Sequence, residues 1–335
     1  MRGKKPPIGY EQNAKAFLKA RFWLFFPFIA LMVLSLGYYL LWTFIAQNIQ
    51  KDITAAGLGY THVAQGGFPS RIGFIFSAPK YEDNNIAWRS TSLQIDLMPY
   101  NQEKAVVRLD GPHEFQLKNG HLKIVHGGNI ASARADLNGL SRLDMVIKAP
   151  VFSGRMGLVN INAATKDSEL HILRGERATD LAKVSITNTD LRLGTKTTLT
   201  SADLLLNIPN AWLEDATRWT RDLNNGNKID IVDAKFIHNA LTFNLSGRLG
   251  ADPNKALNGQ LDLRINSLDE FIGLLSVLNV IDRRHTKSLQ MLGTFGKFLG
   301  DRASQSSAIK MTLEFKRGTV FLEGIAIGAA PKLPI

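Results

Sequence analysis

Apolar and polar residues alternate with a period of two through most of this 335-residue chain. In residues 241–249, LTFNLSGRL, the apolar side chains occupy odd positions and the polar side chains occupy even positions. Successive side chains of a β-strand point to opposite faces, so such a segment predicts a strand with one buried and one solvated face. About fifteen segments follow this pattern, which is typical of antiparallel sheets. The chain is therefore constrained to a mainly β (α+β) fold.

Short turns separate the predicted strands. Turn sequences occur at Lys118-Asn119-Gly120, Gly127-Gly128-Asn129 and Lys316-Arg317-Gly318. These spacings suit hairpins rather than the long crossovers that parallel strands require. An open twisted sheet rarely exceeds ~10 strands without curling or splitting. We therefore predict one large antiparallel sheet that is either curled into a groove or split into a sandwich.

Helical patterns interrupt the strands in the second half of the chain. Residues 211–223 carry one apolar stripe. Leu268–Asn279 follows Ser267, which has Glu270 at the spacing of a capping box. A further helix is expected over residues 286–299, which gives two or three helices in addition to any membrane segment.

The segment from Phe22 to Ala46 contains no charged residue. As a helix it would extend ~37 Å, more than the ~30 Å hydrocarbon core of a bilayer. A cleaved signal peptide has a shorter apolar core of ~7–15 residues and ends in a small-x-small sequence. The nearest candidate for that sequence, Phe44-Ile45-Ala46, begins with a bulky residue. The segment is therefore predicted to be an uncleaved transmembrane anchor.

Charge predicts the orientation of this anchor. Residues 1–50 contain six Lys and Arg, all before the apolar segment, and one Glu, for a net charge of +5. Under the positive-inside rule, residues 1–21 form a cytoplasmic tail and residues 22–46 cross the membrane once. The part of the chain after the anchor is then exported. In a bacterium it would lie in the periplasm, anchored to the inner membrane. The helix predicted over residues 211–223 divides the exported part into an N-terminal β region, 51–208, and a C-terminal region of strands and helices, 209–335.

No motif for catalysis, cofactor binding or metal binding occurs in the sequence. The absence of cysteine excludes disulfides, thiolate metal sites and a cysteine nucleophile. His121 and His126 would face opposite sides of one strand. The sequence His126-Gly127-Gly128 predicts a hairpin turn. His113 is interpreted as an ordinary surface or turn residue. We expect no enzyme activity, no catalytic residue, no cofactor and no metal.

The charge excess gives no indication of a nucleic-acid partner. The net charge of the chain is +11, and subtracting the +5 of residues 1–50 leaves +6 for the other 285 residues. Such mild basicity is weak evidence for binding to nucleic acid. We therefore expect no nucleic-acid partner.

Large apolar residues on several predicted elements could line one groove. They are Trp88, Trp212, Trp219, Phe243 and Leu245. The alternative interpretation is that these side chains pack in a closed core, where large aromatic residues are common.

One stretch of the sequence resembles a known family. A Gly-Phe-Pro turn is followed by a strand that ends in Pro, a strand that begins with Trp, and a Pro-Tyr pair. These residues are Gly67, Phe68, Pro69, Arg71, Pro79, Trp88, Pro99 and Tyr100. The order is similar to that of the family called domain of unknown function 2125, which consists of membrane-anchored envelope proteins of Gram-negative bacteria. The short motifs around residues 258–263 and 318–328 are also similar to the broader AsmA-like envelope proteins, which are thought to shield acyl chains in β-grooves.

The resemblance implies a function in the cell envelope and supplies no catalytic residues. The first hypothesis is a non-enzymatic, inner-membrane-anchored periplasmic protein that serves envelope maintenance and holds lipid in an apolar β-groove. The alternative is a periplasmic scaffold with a closed β-core, which binds other envelope proteins and no lipid. In both cases Phe68 is expected to be buried beneath the strand over residues 72–77.

Overall fold

The computed structural model describes most of the chain and confirms the predicted mainly β fold. The described residues are 9–83, 86–117, 120–136, 139–156, 159–177, 180–193, 197–214, 217–277, 308–330 and 332. The helix expected over residues 286–299 and the turn residues 118–119 lie outside these ranges.

Four helices occur among the described residues. They are α1 (Gly9–Ala55), α2 (Ala211–Glu214), α3 (Thr217–Asn224) and α4 (Leu268–Val277). The sequence explains two of their boundaries. Gly57, with φ of 95°, follows the end of α1 in the left-handed conformation that glycine adopts without strain. Ser267 caps α4, because its hydroxyl accepts a hydrogen bond from the Glu270 amide at 3.4 Å.

Within the described ranges, twenty-one strands form a single sheet. They are β1 (His62–Gly66), β2 (Ile72–Ser77), β3 (Lys80–Glu82), β4 (Ile86–Arg89), β5 (Ser92–Met98), β6 (Asn101–Asp110), β7 (His113–Leu117), β8 (Gly120–Val125), β9 (Gly128–Asp136), β10 (Gly139–Lys148), β11 (Val151–Met156), β12 (Val159–Ala164), β13 (Asp167–Leu173), β14 (Leu181–Leu193), β15 (Thr197–Pro209), β16 (Ile229–His238), β17 (Leu241–Ala251), β18 (Leu257–Ile265), β19 (Ile309–Lys316), β20 (Thr319–Leu322) and β21 (Ile325–Ala329).

The sheet is open, antiparallel and forked. Its main arm has the strand order β1-β2-β5-β6-β9-β10-β13-β14, and it continues as a meander from β14 to β21. A second arm has the order β3-β4-β7-β8-β11-β12. The arms meet at β14, where residues 183–189 pair with β13 and residues 192–193 pair with β12.

The chain passes from one arm to the other along a line that we call the crease. The passages lie at residues 78–79, 90–91, 111–112, 126–127, 149–150 and 165–166. Ala78, Gly111 and Ala149 have φ of 47°, 86° and 46°, and each precedes a proline. Proline cannot donate to a ladder, and a positive φ bends the chain, so these pairs end one strand and redirect the next. The predicted hairpin turn at Gly127-Gly128 is therefore wrong, because β8 and β9 lie in different arms at this point.

Two clusters of buried apolar residues stabilise the sheet at its opposite ends. The helix-base cluster joins α1 to β2 and β5, and consists of Trp42, Ala46, Ile72, Phe74, Phe76 and Leu93. The C-terminal cluster joins α4 to β15 and to the strands from β17 to β21, and it includes Phe271 and Ile272 of α4 together with Leu263 and Ile265 of β18. The predicted regions 51–208 and 209–335 share this one sheet, because β15 and β16 pair across the boundary.

Helix α1 has the length and composition to cross a membrane over Phe26–Ala55. Its apolar side chains from Phe26 to Leu41 are mostly exposed, whereas Trp42 and Ala46 are buried against the sheet. The exposed part suits a lipid environment, and the buried part belongs to the folded domain.

Candidate functional site

Two rows of apolar side chains cross the inner face of the sheet. Residues directly opposite each other on neighbouring strands point to the same face, so the strand register defines each row. The first row is Phe74, Ile95, Val107, Ala131, Met145, Leu170, Ile186, Leu204, Ala234, Leu245, Leu263 and Met311. The second row is Ile72, Leu97, Ala105, Ala133, Leu143, Ile172, Val184, Leu206, Ile231, Gly247, Leu261 and Leu313. At ~4.8 Å between strands, each row extends ~53 Å.

Helices cover both ends of these rows. At one end, Trp42 and Ala46 of α1 lie over Ile72 and Phe74 in the helix-base cluster. At the other end, Phe271 of α4 packs against Phe243 with ring centroids 5.2 Å apart. Phe243 and Leu245, two predicted groove residues, therefore lie in the C-terminal cluster beneath a helix.

The row residues on the strands from β9 to β15 belong to neither cluster, although two other residues of β15, Leu199 and Ala202, lie in the C-terminal cluster. We call this middle part of the rows the trough. Met145, Leu170, Ile186 and Leu204 on its floor are only half-buried, although all four point to the inner face. Four strand intervals of ~4.8 Å give the trough a length of ~19 Å. An apolar strip of this kind between two helices can take up an elongated apolar ligand.

The short helix α2 lies along one side of the trough, and α3 contacts β17 beyond it. Helix α2 contacts both β10 and β15, and Ala182 and Val184 on the intervening strand β14 are 0% and 8% exposed. Trp212 of α2 is buried, and its Nε1 donates a hydrogen bond to Asp222 Oδ2 of α3 at 2.8 Å. Trp219 belongs to α3, and its side chain lies outside the described part of the chain.

Trp88 lies on the second arm rather than beside Trp212. It is directly opposite Phe115 of β7, and it packs against the helix-base cluster. Its ring also stacks on His113, with centroids 6.4 Å apart. Of the five predicted groove residues, the structure brings together Phe243 and Leu245, and it places Trp88 and Trp212 on separate elements.

A pair of histidines lies at the crease. The Nε2 atoms of His113 and His126 are 2.7 Å apart, and the Nδ2 of Asn129 is 3.1 Å from the Nε2 of His126. The Asn129 side chain is oriented by its Oδ1, which accepts a hydrogen bond from the Leu109 amide at 2.8 Å. Its amide nitrogen therefore faces His126 and donates to Nε2, so the network assigns the proton between the rings to His113.

Burial governs the charge state of this pair. The Nδ1 atoms of His113 and His126 are buried and have no hydrogen-bond partner among the described residues. Burial, together with the neighbouring His126, lowers the pKa of His113 to about 4, although Asp110 opposes the shift. Burial also lowers the pKa of His126. Both rings are therefore neutral near pH 7.

His113 is 4% exposed, so its interpretation as a surface or turn residue is wrong. It shares the apolar face of β7 with Phe115 and Leu117, and this alternation is the signal that could have indicated its burial. No group of three or more His, Asp or Glu that could hold a metal occurs within the described ranges.

The Gly-Phe-Pro turn contacts α1 rather than the strand that follows it. Phe68 is 43% exposed, and its ring lies 5.7, 5.3 and 5.7 Å from those of Tyr38, Tyr39 and Trp42. The expectation that Phe68 is buried beneath residues 72–77 is therefore wrong. Gly67 has φ of 97°, and a side chain there would collide with the Arg71 backbone, which explains the glycine.

The other residues of the resemblance lie on three different parts of the fold. Arg71 forms an ion pair with Asp96 at 3.5 Å. Pro79 is fully buried at the crease. Pro99 and Tyr100 form the turn between β5 and β6, where Tyr100 is 83% exposed.

A family model described as "Uncharacterized protein conserved in bacteria (DUF2125)" matches residues 50–331. The chain belongs to this family. The DUF2125 match begins near the end of α1 and includes both arms, the crease and the trough, so it confirms the resemblance seen in the sequence. No curated protein and no solved structure matches the chain. The likeness to AsmA-like proteins stays a prediction.

Proposed function

We propose that this DUF2125 protein is a non-enzymatic, membrane-anchored protein of the bacterial envelope that holds the acyl chain of a lipid in its trough. The observation that carries the proposal is the half-buried apolar floor between α1 and α4. A soluble domain ordinarily covers such a face, because apolar surface exposed to water is unfavourable.

The dimensions and chemistry of the trough favour an acyl chain. One leaflet occupies about half of the ~30 Å hydrocarbon core, or ~15 Å, and the trough is ~19 Å long. Each buried methylene contributes ~0.8 kcal/mol. The two rows from β9 to β15 present only Ala, Val, Leu, Ile and Met side chains, which offer no hydrogen bond to a polar ligand.

Matched variants on β13 test the proposal. Leu170 lies on the floor, whereas Leu173 of the same strand points to the opposite face and is 54% exposed. Leu170→Asp would place an unpaired charge against the acyl chain at a cost of several kcal/mol, and Leu173→Asp would leave the floor unchanged. Phe243 and Leu245 are less suitable, because an Asp there would disrupt the packed C-terminal cluster.

The measurement is native mass spectrometry of the full chain purified from bacterial membranes. We expect a co-purified lipid in the parent and in Leu173→Asp, and a lower occupancy in Leu170→Asp with an unchanged far-ultraviolet spectrum. A parent that carries no lipid would contradict the proposal and favour a scaffold that binds other envelope proteins.

The proposed topology has a separate test. The basic residues before the apolar segment support a cytoplasmic N-terminus and a periplasmic bulk. Alkaline phosphatase fused after residue 335 should be active, because this enzyme works only in the periplasm. An inactive fusion, combined with bright fluorescence from a cytoplasmic reporter at the same position, would overturn the topology.

A further inference from the structure

Two turns project from the same end of the main arm. Ile72, the first residue of β2, pairs with Leu97 near the end of β5. The Gly67–Ser70 turn precedes β2, and the Pro99–Tyr100 turn follows β5, so the two turns extend from the sheet in the same direction. Because the strands are neighbours, the turns lie side by side.

The first of these turns is attached to α1 at a defined height. Tyr38 donates a hydrogen bond from its hydroxyl to the Pro69 carbonyl at 2.6 Å, and Trp42 donates from Nε1 to the Arg71 carbonyl at 2.9 Å. Phe68 packs against the rings of Tyr38, Tyr39 and Trp42. The turn therefore lies level with residues 38–42 of the helix.

Helix geometry relates this height to the membrane. The uncharged segment begins at Phe22, immediately after Arg21, and ~20 helical residues span a hydrocarbon core of ~30 Å. A span that begins at Phe22 thus ends close to Leu41, which is also the last exposed residue before the buried Trp42. Residues 38–42, and the turn attached to them, fall at the boundary between hydrocarbon and headgroups.

The side chains at this end suit such a boundary. Phe68 and Met98 are 43% and 44% exposed, and Tyr100 is 83% exposed. Aromatic residues with one apolar and one polar end are favoured at membrane interfaces. Arg71, whose side chain is 54% exposed, lies next to the turn, where it can reach lipid phosphates.

We propose that the Gly67–Ser70 and Pro99–Tyr100 turns insert into the membrane interface beside α1, so that the domain sits directly on the lipid surface. This inference rests on the anchoring part of the proposed function and goes beyond it. The insertion would hold the domain in a fixed orientation relative to α1 and the membrane, and it would place the end of the main arm in contact with lipid.

Single cysteines test the insertion, because the chain contains no cysteine of its own. In the variant Tyr100→Cys, a nitroxide label attached to the new cysteine lies at the proposed interface. Tyr100 is exposed enough to be replaced without loss of folding. The matched control is Val125→Cys. Val125 is 43% exposed and lies beyond the crease, ~30 Å along the strands from the turns. A second control, Leu34→Cys, marks the exposed face of α1 itself.

The full-length variants are reconstituted into vesicles of phosphatidylethanolamine and phosphatidylglycerol, and the collision rates of each nitroxide with oxygen and with a water-soluble nickel chelate are measured. We expect the ratio of oxygen to nickel accessibility to be highest at position 34, several-fold lower at position 100, and lowest at position 125. Equal ratios at positions 100 and 125, with a high ratio at position 34, would overturn the insertion while leaving the anchor intact. A low ratio at position 34 would overturn the anchor and the insertion together.

Discussion

The two histidines at the crease link the stability of the fold to pH. Each imidazole has a lower pKa in the folded chain than the value of ~6.5 expected for an unfolded one. The unfolded state therefore binds more protons between pH ~6.5 and the folded pKa values, and stability falls as the pH falls through this range. For His113 alone, a folded pKa of about 4 corresponds to a loss of up to ~3 kcal/mol.

This acid sensitivity should weaken when His113 is replaced, because His126 remains as the only titrating group of the pair. His113→Phe keeps an aromatic ring on the apolar face of β7 and removes the titrating group. Its unfolding midpoint should fall less than that of the parent between pH ~7.5 and pH ~5. His121→Gln, on the exposed face of the neighbouring strand β8, is the control and should retain the parental pH dependence. Parallel curves for the parent and His113→Phe would show that the pair does not control the acid response.

The partial exposure of Phe68 sets the cost of its removal. Full burial of a Phe would make Phe68→Ala cost ~3–5 kcal/mol. Contact with three aromatic rings at 43% exposure reduces the expected loss to about 1–2 kcal/mol. Denaturant unfolding in detergent measures it, with Tyr100→Ala as a control that should change little. A loss above ~3 kcal/mol would show that Phe68 is a core residue.

At the scale of elements, α1 combines two environments in one helix. Its apolar residues up to Leu41 are mostly exposed, whereas Trp42 and Ala46 are buried against β2, with Ile49 and Ile53 packed beside them. The folded domain therefore includes the last turns of the helix, and a cut just after the apolar segment would divide the helix-base cluster.

Two shortened chains test this division of α1. A chain that begins at residue 41 should be a folded monomer, because it keeps Trp42 and Ala46 over Phe74 and Phe76. A chain that begins at residue 56 should lose several kcal/mol and aggregate, since these phenylalanines would then face water. Size-exclusion chromatography and thermal unfolding compare the two. Equal stability would mean that the helix contributes nothing to the domain.

The pairing of β17 with β18 depends on a close backbone approach. At Gly247 an added Cβ would lie 2.3 Å from the Gln260 carbonyl oxygen, and φ is 142°. Gly247→Ala should therefore cost on the order of 3 kcal/mol in unfolding free energy. Gly66→Ala is the matched control, because a methyl group there would meet no atom within 4 Å. A similar small effect for both variants would indicate that the strands can separate without penalty.

At the scale of the molecule, the sequence predicts a large antiparallel sheet, but it predicts neither that the sheet is open nor that it forks. The alternation reveals which side chains share a face within one strand, as in residues 241–249. It does not reveal the crease. Ile147 before the crease and Phe152 after it both point inward, so the alternation of inward and outward side chains shifts there by only one position. The His113–His126 contact follows from that crease, and the direction of Phe68 follows from the docking of α1. Both depend on contacts between elements, which local periodicity cannot supply.

The length of the trough makes a prediction for the whole protein. When the delipidated protein is titrated with saturated fatty acids that displace a fluorescent apolar dye, affinity should rise with chain length by up to about fourfold per methylene. The rise should level off once the chain exceeds the ~19 Å of apolar floor. An affinity independent of chain length would mean that the dye and the fatty acids bind elsewhere.

The crease also limits how sequences of this kind can diverge in length. Each strand from β2 to β13 has one end at the crease, where the chain crosses between the arms. Inserting or deleting one residue inside such a strand would therefore turn every side chain between that site and the crease to the opposite face. Such a change would move apolar residues into water on one arm and leave the other arm intact. Insertions and deletions among related sequences should therefore concentrate at the outer ends of the hairpins, and an alignment with gaps inside the strands would mark relatives that do not share the fork.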